Sequence, residues 1–205
     1  MNELTTSSER NKTGWILASI STMLTASIIL WFYNNPEGFI ENGIGFRTDV
    51  FSNIFIWIFT LFIITGYIAY TLIAIPFVKA HLLTISWLKV IGIWAAIVTG
   101  IVEEVVFRHL LMEYLLTLAL SDVTQILISG MLFGIAHGVW VLLKGDWKFA
   151  LPAIISTTIL GSLLATLYII TGRSTFAPIV AHILINMFIE PWLMLSAVSG
   201  KWDGN

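Results

Sequence analysis

The sequence predicts an all-α fold: a polytopic membrane helix bundle of about six spanning helices plus one short partial or re-entrant helix. Three observations predict it. Of 205 residues, 58% are hydrophobic and only 11% charged, with a mean hydropathy of +0.91, whereas soluble domains average about 25% charged residues. The apolar residues fall in runs of about 20, long enough to cross a hydrocarbon core of roughly 30 Å as helices. No run alternates apolar and polar residues with the period of a strand, and no long repeat or second domain interrupts the pattern.

Residues 1–13 form a polar tail. Gly14–Tyr33 is the first apolar run, preceded by Arg10 and Lys12 as a signal peptide would be. It is too long for a signal h-region and ends in Trp31-Phe32-Tyr33-Asn34-Asn35-Pro36 without a small-residue cleavage site, so an uncleaved helix is expected. The linker 34–50 carries Glu37, Glu41, Arg47 and Asp49 among the turn residues Pro36, Gly38, Gly43 and Gly45. Phe51–Val78 holds no charge and reads as the second helix, ending near Pro76, with Lys79 and His81 in the connection after it.

The third run extends from Ser86 to about Leu120. A straight helix of that length would be about 50 Å long, too long for a bilayer, which predicts a bend shortly after Arg108 and a short surface or re-entrant helix over 109–120. Val123–Leu143 is the next helix, followed by the loop Lys144-Gly145-Asp146-Trp147-Lys148. Phe149–Ile170 is charge-free, Thr171-Gly172-Arg173-Ser174 makes a turn, and Phe176 to about Val198 is the last helix. One transmembrane domain over 14–198 thus lies between tails at 1–13 and 199–205.

Lysine and arginine gather at the N-terminus, around Lys79 and Lys89, at Lys144 and Lys148, and at Lys201, an end that the positive-inside rule makes cytoplasmic; Arg173 is the exception. Trp31, Trp87, Trp147 and Trp192 stand near predicted helix ends, as interfacial anchors do. The net charge of -2 gives no footprint for nucleic acid, and the absence of cysteine excludes disulfides, thiolate metal sites and a cysteine nucleophile.

The polar residues inside the apolar runs carry the chemistry. Ionisable groups at bilayer depth cost roughly 2.5 kcal/mol or more each and mark function by default. Glu103 and Glu104 are adjacent on the third run, and Arg108 follows four residues after Glu104. Residues four apart share a helix face, so Glu104 pairs with Arg108, while Glu103 lines up with Phe107 and points about 100° away. Glu104 and Arg108 therefore form the structural pair and Glu103 is left to face a cavity. His137 stands on another run within Gly130, Gly134 and Gly138, a small-residue ridge of the kind that admits a close helix. Gly92, Ala96 and Gly100 form a second ridge before the glutamates, so two close-packing helices would bring Glu103 and His137 within reach. His182 and Asn186 share a face of the last helix and can donate hydrogen bonds to an oxyanion. His109 and Glu113, also four apart, are expected to pair, and Pro178 to kink the last helix near His182. Glu103, His137 and His182 are also the three residues that would hold zinc if a metal were used, although neither HExxH nor HxxEH occurs; no cofactor is favoured.

Glu103-Glu104-Val105-Val106-Phe107-Arg108, Phe133-Gly134-Ile135-Ala136-His137 and His182-Ile183-Leu184-Ile185-Asn186 follow one another on three apolar helices. This pattern resembles the CAAX protease and bacteriocin-processing family, also called the abortive-infection family, of intramembrane endopeptidases, whose motifs read EExxxR, FxxxH and HxxxN. The resemblance covers about residues 88–191. It implies peptide hydrolysis by an activated water: Glu103 as general base, His137 orienting the water, His182 and Asn186 at the oxyanion, and Glu104 with Arg108, beside Phe133, as support. The family was first labelled metal-dependent, and a metal-free glutamate mechanism is also argued for it; the unpaired Glu103 favours the latter here. Where members often have glycine after the arginine, this chain has His109, which would alter the turn or line the substrate entrance. The chain is short beside the eukaryotic type II CAAX prenyl endopeptidases, which suggests a compact prokaryotic member of a cell membrane.

The reading is an endopeptidase whose partners are membrane lipid and a peptide or protein substrate, lipidated or bearing a C-terminal sorting signal. Two other classes compete: a non-catalytic scaffold or bacteriocin-immunity protein, and a small proton-coupled carrier. The carrier is disfavoured because no inverted repeat with paired broken helices is visible. Intact Glu103, His137, His182 and Asn186 favour the enzyme over the scaffold.

Overall fold

A computed structural model describes residues 5–141 and 147–203, and the side chains outside 139–149; all regular structure among them is helical. The loop residues Lys144, Gly145 and Asp146, the side chains of Trp147 and Lys148, and both chain ends (1–4 and 204–205) lie outside the described residues. Helix α1, Ser7–Asn34, opens on a capping box in which Thr6 and Glu9 satisfy each other's backbone N–H. Helix α2, Ile54–Ala74, starts at the Asn53 cap and stops before Pro76, whose ring excludes helical geometry at Ile75. The apolar run expected as one helix to Val78 is therefore divided, with a separate turn at Pro76–His81.

Helix α3, Trp87–Thr117, runs unbroken through 31 residues, α-helical to Glu104, π-helical over Val105–Leu110 and α-helical again to Thr117. The irregularity expected shortly after Arg108 takes the form of that π-helical turn, without a break, and residues 109–117 continue the same helix and are not a separate short one. Excess length is accommodated instead by extending the helix to about 46 Å. Its far end is held by Glu113, which accepts hydrogen bonds from Tyr168 (2.8 Å) and Arg173 (2.7 Å). Those two partners replace the expected His109–Glu113 pair.

Helices α4 (Asp122–Val141), α5 (Trp147–Ile170), α6 (Phe176–Ile189) and α7 (Trp192–Ser199) complete the chain. The last apolar run, expected as one helix kinked near His182, is a continuous α-helix through Pro178 and His182 and bends by 53° between α6 and α7. Pro191 sets the place: it pushes Glu190 out of the helical region, to φ −61° and ψ 158°. Four helices are long and apolar enough to cross a membrane, five if α6 and α7 form one bent span. The expected sixth is α4, which runs into the residues whose side chains are not described.

The chain crosses the bundle alternately. At one end the linker after α1 docks on the turn between α5 and α6, where Ser174 Oγ donates to Gly45 O (2.6 Å) and Arg47 Nη1 to Gly172 O (3.1 Å). The ends of α3 and α4 join them there through Arg173, bonded to Glu113, Gln125 and Asp122. At the opposite end Phe77 N donates to Trp202 O (3.2 Å), and His81 stacks between Phe77 and Trp192. Trp192 is thus buried, 1% exposed, rather than an interfacial anchor.

The two glycine ridges do not face each other. A Cβ on Gly134 would lie 2.6 Å from Ile154 O, and one on Gly130 2.9 Å from Thr158 O, so the α4 ridge seats α5. A Cβ on Gly100 would lie 3.2 Å from Ile183 N, so the α3 ridge seats α6. Each ridge faces a backbone too near for a side chain, and neither partner is the helix anticipated. Gly134→Ala is accordingly expected to destabilise the fold by about 1–3 kcal/mol, because the added methyl meets, besides the Thr158 hydroxyl, the backbone of Ile154 and Thr158, which cannot rotate aside. The unfolding midpoint in detergent reads this, and an unchanged midpoint would show that α4 and α5 do not need the glycine.

Candidate active site

Close approach of α3 and α6 brings His182 against the glutamates. Glu104, fully buried, lies 2.9 Å from Arg108 Nε through Oε2 and 2.7 Å from His182 Nδ1 through Oε1. The expected Glu104–Arg108 pair is present, and the bond to His182 joins it. Arg108, also fully buried, donates from Nη2 to Gly161 O (2.9 Å) on α5 and sets its guanidinium 4.8 Å from the centre of the Phe133 ring. Phe133 stands at the junction of the three motifs, its ring centre 4.3 Å from that of His137 and 5.6 Å from that of His182.

Glu103 turns the other way, as its helix face requires. Its Oε2 lies 3.5 Å from His137 Nε2 and 3.9 Å from His182 Nε2, and has no hydrogen-bond partner among the described residues. The second nitrogen of each ring is held. His137 Nδ1 lies 2.9 Å from Phe133 O, and His182 Nδ1 meets the Glu104 carboxylate. Carbonyl and carboxylate oxygens only accept, so both Nδ1 atoms carry a hydrogen and both Nε2 atoms turn toward Glu103. In its neutral form each Nε2 is then an acceptor; when protonated it donates.

Glu103, His137, His182 and Asn186 line one cavity of about 600 Å³, walled otherwise mostly by apolar residues of α1, α2, α5 and α7. All four residues named from the sequence are brought together. Glu190, in the break after α6, lines the same cavity and was not anticipated. The signal was present: His182, Asn186 and Glu190 recur every four residues, one face of a helix. His109 lies elsewhere, in a separate groove of about 390 Å³ against α1 and the linker, so it does not line this cavity. Among the described residues no three His, Asp or Glu side chains are arranged to hold a metal ion.

The comparison with known families bears on residues 84–188, which match the family model described as type II CAAX prenyl endopeptidase Rce1-like. No curated protein and no solved structure matches the chain significantly. The matched segment is just over half of the chain and runs from the start of α3 to the end of α6, holding every motif residue around Phe133. The chain therefore belongs to the Rce1-like type II CAAX prenyl endopeptidases, a family of membrane proteases.

Proposed function

We propose that the protein is an intramembrane endopeptidase that hydrolyses a peptide bond of a membrane-associated or lipidated peptide. The observation that carries this is the pair of acceptors, Glu103 Oε2 and His137 Nε2, 3.5 Å apart at one wall of the cavity. A water donating one hydrogen to each has its lone pair free for the scissile carbonyl. As its oxygen bonds to the carbonyl carbon, a proton passes to Glu103. The carbonyl oxygen becomes an oxyanion, stabilised by the Asn186 amide and by Nε2–H of His182 in its protonated form, whose ring is oriented by the bond from Nδ1 to Glu104. Collapse of the intermediate breaks the C–N bond, and the proton on Glu103 moves to the departing amine.

Six crossings, with α4 as the sixth, put the N-terminus, Lys79 and Lys201 at one end, the cytoplasmic one by the positive-inside rule. Ala74, Ile75 and Trp202 line the cavity at that end, so the substrate enters from it. Glu103 then lies about 24 Å along α3 from Trp87, deep in the bundle. Cleavage of a lipid-anchored peptide by the purified protein in liposomes, followed by mass spectrometry, tests the function; a protein that binds the peptide and never cuts it is a scaffold.

Asn186→Ala is expected to lower kcat by roughly 100- to 1,000-fold with little change in KM, the loss of one oxyanion donor. A rise in KM alone would move Asn186 to ground-state binding. Extended treatment with 1,10-phenanthroline is expected to leave the rate unchanged. Loss of activity that added zinc restores would overturn the metal-free step while keeping the hydrolase.

A further inference from the structure

We propose that Glu190 selects the substrate, its carboxylate receiving the ammonium or guanidinium of a basic residue two to four residues from the scissile bond; the proposal rests on the hydrolase reading above. Three observations lead to it. Charged residues lining the cavity are Glu103, Glu190 and Asp203, all acidic, and no lysine or arginine lines it among the described residues. A peptide entering past them meets a surface of negative sign and apolar walls. The Glu190 side chain, partly buried, makes no hydrogen bond or ion pair among the described residues, although an unpaired carboxylate at this depth is costly.

The position of Glu190 is fixed. Its N–H donates to Asn186 O (2.9 Å), and Lys89 Nζ donates to Met187 O (2.5 Å) and Phe188 O (3.1 Å), satisfying carbonyls that the end of α6 leaves open. One turn along α3, Gly92 lets Pro191 approach so closely that a Cβ there would lie 3.0 Å from Pro191 N. The helix that carries Glu103 thereby also pins the break that carries Glu190. The backbone that presents the carboxylate to the cavity is thus held in place.

Spacing gives the register. Along the helix Glu190 is about 6 Å beyond Asn186 and about 12 Å beyond His182, toward the lysine-bearing end. An extended peptide advances about 3.3 Å per residue, so a substrate with its scissile carbonyl between His182 and Asn186 presents a residue two to four positions away to Glu190. An ion pair formed within an apolar cavity gives strong discrimination between charge states of the partner.

The experiment uses the full chain in liposomes and peptides differing at one residue, lysine, norleucine or glutamate, placed two to four positions on either side of the cleaved bond. Wild type is expected to favour lysine over norleucine in kcat/KM on the order of 10- to 100-fold at one of these positions. Glu190→Gln should bring that ratio close to one, and Glu190→Lys should turn the preference toward glutamate. A lysine preference that survives Glu190→Gln, in protein that melts as wild type does, overturns the proposal, as does indifference of wild type to all three residues. If no peptide is cleaved, the hydrolase reading fails separately, and binding by calorimetry decides for Glu190: tighter binding of the lysine peptide to wild type than to Glu190→Gln upholds it, and equal affinity overturns it.

Discussion

Glu103→Gln is expected to lower kcat/KM by roughly 100- to 10,000-fold, the span of a lost general base, while leaving the protein folded. The amide is close to isosteric, so the cavity keeps its shape, but it cannot take a proton from water. Stability should survive because Glu103 makes no close bond: its nearest basic neighbours are 3.5 Å and 3.9 Å away. His137→Ala should cost nearly as much, and the double variant little more than either alone, since both act on one water and groups that act as a unit are non-additive. Single-turnover cleavage in proteoliposomes, beside melting curves, gives both readouts. A Glu103→Gln protein that cuts at the wild-type rate would remove the glutamate mechanism altogether. Losses that multiply in the double variant would mean that Glu103 and His137 act on different steps.

Much of this was legible in the sequence because helix periodicity is local. Adjacent Glu103 and Glu104 had to face different ways, and Arg108, one turn on, had to choose Glu104; no tertiary information was needed for either. Helix existence was legible for the same reason, since an apolar run of about 20 residues has few alternatives in a membrane. What was not legible depends on partners. The glycine ridges signalled close packing without saying against what, so α3 and α4 were paired with each other when α6 and α5 fill those places. Length alone suggested a bend and a separate short helix after Arg108, whereas the helix continues through a π-helical turn and Glu113 near its end finds Tyr168 and Arg173, 55 and 60 residues away. The real break lies at Pro191, a helix breaker whose meaning was lost inside an apolar run. The bond from Glu104 to His182 spans 78 residues, and no spacing rule reaches that far.

That bond makes a test in which stability and activity part company. Arg108→Leu is expected to destabilise the protein by about 3–5 kcal/mol, the usual cost of removing one member of a buried ion pair. Three consequences converge: Glu104 is left with only His182 beside it, Gly161 O loses its side-chain donor, and Phe133 loses the guanidinium over its ring. Replacing both partners, Glu104→Leu with Arg108→Leu, removes the stranded carboxylate and should recover a large part of the loss, since apolar groups of similar volume often serve as well as a buried pair. Activity should not recover with it. His182 would lack the acceptor that holds Nδ1 and fixes the direction of Nε2, so the stabilised double variant should remain on the order of 100-fold or more below wild type. Unfolding midpoints in detergent and initial rates in liposomes are read on the same preparations. If the double variant is as unstable as Arg108→Leu alone, the pair is not what makes Arg108 necessary, and the bond to Gly161 takes its place. If the double variant regains the wild-type rate, His182 does not need Glu104, and the carboxylate belongs to the architecture alone.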